Sequence, residues 1–352
     1  MQNNSLTYKL FTIQELSDWL LCNIENGIAD KMIARTRAWA LINNPDAKDN
    51  DVVLSAVLYN NQVVGYTAIF AETLSSPFSN QRFYWGSSQW LEPAYRGQGV
   101  SAKMMLMMKK AINHCYLGLD SSIASCKLDQ KQGYKILHYP RYFFQWKTNT
   151  TTLLSLIKEQ YVQGVNCKIL KQLLQYDYRN LHTPAIDDHT YNFIRSHSQG
   201  DLFLRSQKML NWILHYPFLC AIDGDTHIIE EKCEFGSHVH TFEMKAIQVY
   251  AKNQLHGVYI YSFVDGIFKV LYLYYDKQYS DCVFASLVVK ALQRNVVQFR
   301  TFDKLLYDFM VGIGIMNINS KHTLDQIAMT LPPNIEIDPS LSIQGGDGDM
   351  FC

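Results

Sequence analysis

Residues Trp90 to Ser101 have the sequence WLEPAYRGQGVS, and this segment is the strongest indicator of the fold. It follows an aromatic-rich run, Arg82 to Leu91, that predicts a strand, and precedes Ala102 to Cys115, which predicts a helix. Gly97 and Gly99 permit a tight turn because neither carries a Cβ. Free N–H groups and the dipole at the start of a helix attract anions. The pattern predicts a phosphate-binding turn, although an ordinary strand-to-helix loop with two glycines would read the same way locally.

The elements before this turn follow a definite order. Thr12 and Glu15 form a capping box that predicts the start of a helix, and a second helix is expected to end before Pro45. Two runs with strand character, 52–59 and 63–74, flank an Asn-Asn pair that is typical of a hairpin turn. The first 91 residues therefore predict two helices, a hairpin and a third strand.

This order, together with the sequence Arg96-Gly97-Gln98-Gly99, resembles the GNAT superfamily of acyl-CoA N-acyltransferases. In that resemblance, 121–126 is the next strand, Lys131-Gln-Gly-Tyr134 is the turn after the following helix, and 141–146 is the last strand. The similarity covers about residues 8 to 148. It implies a mixed sheet flanked by helices, with acyl-CoA bound at the turn.

The resemblance implies a specific cofactor site. Arg96 would open the loop, and the pantetheine arm would lie in a gap where two strands splay apart. The Leu91 N–H would stabilise the oxyanion on the thioester carbonyl. The expected CoA-binding residues are Gln89, Trp90, Leu91, Arg96, Gly97, Gln98, Gly99, Val100 and Ser101.

The sequence departs from the family pattern at the catalytic positions. The acidic residue that often serves as base is absent from 84–89, and the usual tyrosine acid is replaced by Leu128-Asp129-Gln130. Asp129 and His138 are therefore candidate catalytic residues, although a helix N-cap for Asp129 and a surface or packing position for His138 are the more usual roles of such residues. Cys126, expected on the cleft strand, supports a rival route through an acyl-enzyme.

The second half repeats the layout without the glycine turn. Strands are expected at 245–251, 258–263 and 268–275, followed by a helix at 280–295. The linking segment 276–281 has no glycine and contains two aspartates, which would repel phosphate. The sequence thus predicts one CoA site, in the first half.

The predicted fold class is α/β (α+β), with two GNAT-like domains in tandem and mixed, mostly antiparallel sheets flanked by helices. Only the first domain carries the pyrophosphate loop. The predicted bounds are 1–148 for the domain with the acyl-CoA site, 149–340 for a degenerate domain on the acceptor side, and 341–352 for a flexible tail.

Composition narrows the class of protein further. The 352 residues contain 32 Lys+Arg and 32 Asp+Glu, with 48% hydrophobic residues, so the chain is neither disordered nor a basic nucleic-acid binder. Residues 1–150 carry 15 basic and 11 acidic side chains, a net of +4, which leaves −4 for the remainder. None of the eight cysteines forms a CxxC pair, so no metal site is expected. The polar start, Met1 to Tyr8, and the scattered cysteines predict a cytoplasmic protein with reduced thiols.

The resemblance implies an acyl-CoA-dependent N-acyltransferase with acyl-CoA as co-substrate. The overall layout resembles enzymes that acylate nucleotide-linked amino sugars for surface polysaccharides, in particular a dTDP-3-amino-3,6-dideoxyhexose, by direct attack of the amine. No nucleic acid or membrane partner is expected, and the oligomeric state stays open. Two alternatives stay open as well: acyl or aminoacyl transfer to a peptide or protein amine, and a non-catalytic CoA-binding module.

Overall fold

The computed structural model describes residues 5–26, 33–74, 78, 80–147, 152–221, 238–294, 296–318, 324–338 and 340–348. The strands are β1 Thr7–Thr12, β2 Val52–Tyr59, β3 Gln62–Leu74, β4 Gln81–Leu91, β5 Tyr116–Leu119, β6 Lys135–Gln145, β7 Arg179–Thr183, β8 Cys220–Ala221, β9 His238–Val239, β10 Phe242–Ala251, β11 Gln254–Val264, β12 Ile267–Tyr275, β13 Gln298–Thr301 and β14 Leu324–Leu331. The helices are α1 Ile13–Asn26, α2 Arg35–Ile42, α3 Val100–Ala111, α4 Ile123–Lys131, α5 Leu153–Leu173, α6 Asp188–His197, α7 Gln207–His215, α8 Ser280–Leu292 and α9 Lys304–Gly312. The sequence also predicts a linker at 148–152, of which the structure describes Thr152, and the start of the expected second helix, 28–32, lies outside the described residues.

One mixed sheet of 12 strands organises the molecule. Its strand order is β1-β2-β3-β4-β5-β14-β6-β13-β12-β11-β10-β7. Two neighbouring pairs, β4 with β5 and β12 with β13, are parallel, and the other pairs are antiparallel. Strands β3 and β11, each third from an edge of the sheet, are buried along most of their length because helices and loops cover both faces. Within the described residues, no helix is both long and apolar enough to cross a bilayer.

The two halves exchange their last strands. β14, from the end of the chain, lies between β5 and β6, and β6 pairs on its other edge with β13. Each half of the sheet is therefore completed by a strand from the other half. The order is symmetric about the β14–β6 pair, so the centre of the sheet is where the two halves meet. The bounds 1–148 and 149–340 remain a prediction.

The strand expected at 121–126 is not a strand. The chain forms β5 earlier, and α4 begins after Ser122, whose hydroxyl accepts a hydrogen bond from Ser125 N. The preceding helix is shorter than expected, since Asn113 and His114 adopt positive φ and end it. Cys126 consequently lies on α4.

Residues 341–348, which were expected to belong to a flexible tail, are packed against the sheet. Ile343 and Asp347 are buried, and Gly346 N donates to Leu271 O at 2.7 Å. The Tyr272 hydroxyl donates to Gly346 O at 2.7 Å. The segment packs in the interior because its small residues fit against β12, where the carbonyl oxygen of Val270 would touch a Cβ on Gly345. The rest of the tail, 349–352, lies outside the described residues.

Candidate active site

The glycine turn between β4 and α3 has the backbone that the sequence predicts. Gly97 and Gly99 have φ of +76° and +77°, in the left-handed region that favours glycine. Gly99 is the N-cap of α3, and a Cβ on either glycine would meet no atom within 4 Å. The turn is exposed at 96–99. The first N–H groups of α3 thus face open space, as an anion site requires.

Neighbouring side chains brace this turn. Arg96 Nε donates to Leu91 O at 2.9 Å, and Gln98 Nε2 donates to Ala94 O at 2.9 Å. Val100 is buried in an apolar cluster with Leu91, which fixes the start of α3 on the sheet. The side chain of Ser101 is half-buried in the first turn of the helix. The loop is therefore held by its own residues while its backbone faces outward.

β4 and β5 separate beside the turn. They pair at Tyr84 with Tyr116 and at Trp85 with Leu117, so the ladder between the two strands ends before Gly86. Glu92 N donates to Val64 O on the opposite edge at 2.8 Å. Because alternate residues of an antiparallel strand point their N–H groups to opposite edges, the Leu91 N–H points into the gap. This is the splayed pair of strands that the resemblance implies.

The gap opens into a cleft of about 490 Å³ at the centre of the sheet. That volume is in the range of small-molecule sites. One wall comes from β4 and β5, and the other from β6, β12, the end of β13 and the interior tail. The lining residues are Arg37, Thr67, Gly86, Ser87, Ser88, Gln89, Met105, Tyr116, Gly118, Leu119, Asp120, Ser121, Ser122, Ser125, Arg141, Lys269, Val270, Arg300, Phe302 and Gly345.

The cleft lining is cationic. It includes three arginines and one lysine, against Asp120 as the one carboxylate among the lining residues. Arg141 donates to Asp120 at 2.9 Å and to Asp325 at 2.6 Å. Burial, and then the charge of Arg141, lowers the pKa of Arg300. An anionic ligand would relieve this concentration of positive charge.

Two buried polar side chains, Arg37 on α2 and Ser88 on β4, line the cleft. Arg37 is 7% exposed; its guanidinium donates to Ser87 Oγ at 2.7 Å and lies 4.4 Å from the Phe218 ring centre. Among the described residues, no carboxylate lies within 4.0 Å of Arg37. Ser88 is 7% exposed, and its Oγ has no hydrogen-bond partner in the described structure. Buried polar atoms are nearly always satisfied, so the Ser88 hydroxyl is available to a ligand.

Neither candidate catalytic side chain lies at the cleft. Asp129 is fully buried in α4, where it accepts from Lys109 Nζ at 2.5 Å and from Thr330 Oγ1 at 2.9 Å. Lys109 is buried too, and burial lowers its pKa while Asp129 raises it. His138 is exposed on β6, an odd number of residues from Arg141, so the two side chains point to opposite faces of the sheet.

Cys126 is not set up as a nucleophile. It lies on α4, where its Sγ contacts Ser121 O at 3.6 Å, and it is not among the residues that line the cleft. Burial, and then Asp129, raises the pKa of its thiol. The thiolate, which is the reactive form, is therefore disfavoured.

The corresponding turn of the second half is closed by side chains. A short 3-10 turn at Lys277–Tyr279 precedes α8, and Asp276 accepts from His197 at 2.7 Å and from His256 at 2.6 Å. A carboxylate held between two histidines leaves no anion site there. In the part of the chain that the structure describes, no group of three or more His, Cys, Asp or Glu could hold a metal ion.

The glycine turn and the gap between β4 and β5 were expected from the sequence, whereas the cationic lining of the cleft was not. Nothing local in the sequence marks Arg37, Arg141, Lys269 or Arg300 as members of one site. These four side chains come from α2, β6, β12 and β13. Only the exchange of strands at the centre of the sheet brings them together.

The sequence matches no protein-family model, and no curated protein is significantly similar to it. Among solved structures, yeast (Saccharomyces cerevisiae) N-myristoyltransferase with bound myristoyl-CoA is similar over 97% of this chain and 90% of that chain, with a TM-score of 0.53 and 9% identity. A candidate acetyltransferase from Pyrococcus horikoshii is similar over 98% and 95% of the two chains, with a TM-score of 0.50 and 10% identity. A tandem GNAT protein from the clavulanic acid biosynthesis pathway covers 95% and 100%, with a TM-score of 0.48 and 10% identity.

The two structures with TM-scores of 0.50 and 0.53 show the fold. The chain shares with them a mixed, mostly antiparallel sheet flanked by helices. The fold class predicted from the sequence is confirmed.

Proposed function

We propose that the protein is an acyl-CoA-dependent N-acyltransferase that acylates the amino group of a nucleotide-linked amino sugar. The proposed sugar is a dTDP-3-amino-3,6-dideoxyhexose of the kind used in surface polysaccharides. The observation that carries the proposal is the continuity of the site: the gap beside the glycine turn leads directly into a cleft with a cationic wall.

The donor side of the proposal rests on the first half. The N–H groups from Gly97 to Ser101 would hold the CoA pyrophosphate, and the edge of β4 beyond its ladder with β5 would pair with the pantetheine amides. The yeast N-myristoyltransferase of the same fold has myristoyl-CoA bound. The thioester would then reach the cleft beside Gln89, with the Leu91 N–H directed at its carbonyl oxygen.

The acceptor side rests on the charge of the cleft. A nucleotide-linked sugar carries a diphosphate, and arginine guanidinium groups bind phosphate oxygens in pairs. Four cationic side chains and five serines line the cleft, and serine hydroxyls suit sugar hydroxyls. A basic peptide would be repelled by the same wall.

The mechanism needs no covalent intermediate. The amine nitrogen would attack the thioester carbon, the carbonyl oxygen would become an oxyanion near Leu91, and the C–S bond would then break as the ammonium loses a proton and the thiolate gains one. An amino-sugar amine is weakly basic, so placement beside the thioester and a water relay can suffice. The cleft carboxylate Asp120 is engaged by Arg141.

Transfer to a peptide amine is the second candidate. Its support is the fold shared with N-myristoyltransferase. The two candidates differ in the charge of the acceptor, and the cationic cleft limits the peptide candidate to acidic sequences.

A CoA-binding module without activity is the third candidate. Its support is that neither Asp129 nor His138 lies at the cleft.

A thiol-release assay tests the proposal. Acetyl-CoA and longer acyl-CoAs are supplied with a panel of nucleotide-linked amino sugars, and with acidic and basic peptides as comparison acceptors. Thiol release with a sugar nucleotide and intersecting initial-rate lines are expected. Release with peptides alone would select the second candidate, CoA binding without release for any amine would select the third, and parallel lines would contradict direct attack.

A further inference from the structure

Three cationic side chains lie in a row across neighbouring strands of the second half. Lys269 on β12 is the register partner of Arg300 on β13, so their side chains share a face. Arg300 is in turn the register partner of Phe143, two residues from Arg141 on β6, which places Arg141 on that face as well. All three line the cleft. We call Lys269, Arg300 and Arg141 the cation row.

The cation row is unfavourable unless something compensates it. Like charges that face each other on adjacent strands destabilise a sheet. Asp120 and Asp325 both bind Arg141, at the end of the row. Arg300 donates its Nε to the amide oxygen of Gln298 at 2.5 Å, and within the described chain no carboxylate lies within 4.0 Å of it. Asp120 and Asp325 also act electrostatically on Arg300, but Arg141 already binds both carboxylates. Among the described residues, the middle of the row therefore has no carboxylate in direct contact with it.

A second observation comes from the opposite wall of the cleft. Ser88 Oγ is buried and has no hydrogen-bond partner in the described structure. The buried guanidinium of Arg37 donates a hydrogen bond to a neutral hydroxyl, that of Ser87. Both residues line the same cleft as the row. The polar groups of the two walls thus converge on one space.

The CoA pyrophosphate does not account for this charge. The glycine turn follows the end of β4, whereas the cleft reaches β4 at Gly86 to Gln89. From Ser87 to Leu91 alone an extended strand spans about 13 Å, and the turn lies beyond. None of the residues 96–101 lines the cleft. The cation row therefore faces a different anion.

We propose that the cation row binds the diphosphate of the acceptor, with Arg300 at its centre. This inference rests on the proposed function and names the residues that would select a nucleoside diphosphate over an uncharged amine. A diphosphate supplies the missing countercharge and accepts the paired hydrogen bonds that a guanidinium donates. The sugar amine would then lie between the row and β4, on the side where the thioester arrives.

Titration calorimetry with the full chain tests the row, using dTDP, thymidine and CoA as probes. Wild type is expected to bind dTDP and CoA, and to bind thymidine far more weakly. Arg300→Gln is expected to weaken dTDP binding roughly 10- to 100-fold, since hydrogen bonds to charged groups contribute about 1.5–3 kcal/mol each, and to leave CoA binding unchanged. The dTDP affinity of Arg300→Lys should lie between those of wild type and Arg300→Gln. Lys304→Gln, an exposed cation on α9, is the matched control and should match wild type.

Four outcomes would overturn the inference: no dTDP binding by wild type, equal binding of thymidine and dTDP, unchanged dTDP affinity in Arg300→Gln, or an equal loss of CoA affinity in that variant. Lys269→Gln provides a second variant should Arg300→Gln fail to fold. Absence of CoA binding by wild type would instead contradict the proposed function. The dTDP titrations would still show whether the cation row binds a diphosphate.

Discussion

The Arg205 guanidinium donates a 2.8 Å hydrogen bond to the carbonyl oxygen of Gly348. It also donates to Gly346 O at 3.2 Å and forms an ion pair of 3.1 Å with Glu72 on β3. Both charged side chains are 1% exposed. One buried arginine thus ties the end of the chain to the first half of the sheet, beside the cleft wall that contains Gly345.

Replacing Arg205 by methionine should strongly destabilise the fold. The change leaves Glu72 buried without its cation, and breaking a buried pair from one side costs about 3–5 kcal/mol. Urea unfolding at neutral pH measures the loss. The double variant Arg205→Met with Glu72→Gln should recover part of it. A loss below about 1 kcal/mol in the single variant would mean that Arg205 does not anchor the segment.

The attachment of the tail should also depend on pH. Burial raises the pKa of Asp201 to about 7, and Gln344 Nε2 donates to this carboxyl group at 3.1 Å. Since the folded pKa exceeds the ordinary value near 3.9, the native state favours the neutral acid. The contribution of Asp201 to stability is therefore present below about pH 4 and is lost as the pH rises through about 7.

Asp201→Asn, which mimics the neutral acid, should remove this dependence. The free energy of unfolding of the variant relative to wild type should rise between pH 5 and pH 8, by an amount on the order of 2–4 kcal/mol. Urea unfolding at both pH values measures it. Parallel pH profiles for the two proteins would show that Asp201 does not titrate in this range.

The pair of Lys109 and Asp129 should be structural. Lys109→Met leaves the carboxylate of Asp129 buried and unpaired, and we expect a loss of about 3–5 kcal/mol. The double variant Lys109→Met with Asp129→Leu should regain most of that stability, because an apolar pair of similar volume often replaces a buried ion pair without loss. Thermal unfolding and the thiol-release rate are measured together. An inactive but stably folded double variant would assign Asp129 a catalytic role.

The sequence predicted the parts of the fold that depend on local signals. The turn at Gly97 and Gly99, the hairpin of β2 and β3, and the helix after the turn follow from residues adjacent in the chain. The strand predicted at 121–126 was wrong, because a serine N-cap starts a helix soon after the four-residue strand β5. The prediction failed again at the tail, because the glycines of 345–348 are typical of disorder in sequence but also allow close packing.

The exchange of β6 and β14 could not be predicted, because strand pairing across nearly 190 residues leaves no local pattern. Asp325 pairs in register with Arg141, and no spacing in the chain indicates that contact. The cation row depends on the same exchange. The glycine turn was therefore predictable from sequence, and the cation row was not.

CoA titration of Gly99→Val tests whether the glycine turn holds acyl-CoA. Gly133→Val is the matched control, because Gly133 has a φ of +86° and equal open space, yet lies outside the site. Both changes force a residue with a Cβ into a left-handed backbone at a similar cost of about 1–2 kcal/mol. We predict that Gly99→Val lowers CoA affinity roughly 100-fold or more while Gly133→Val binds CoA as wild type does. Equal CoA affinity in the two variants would contradict the account.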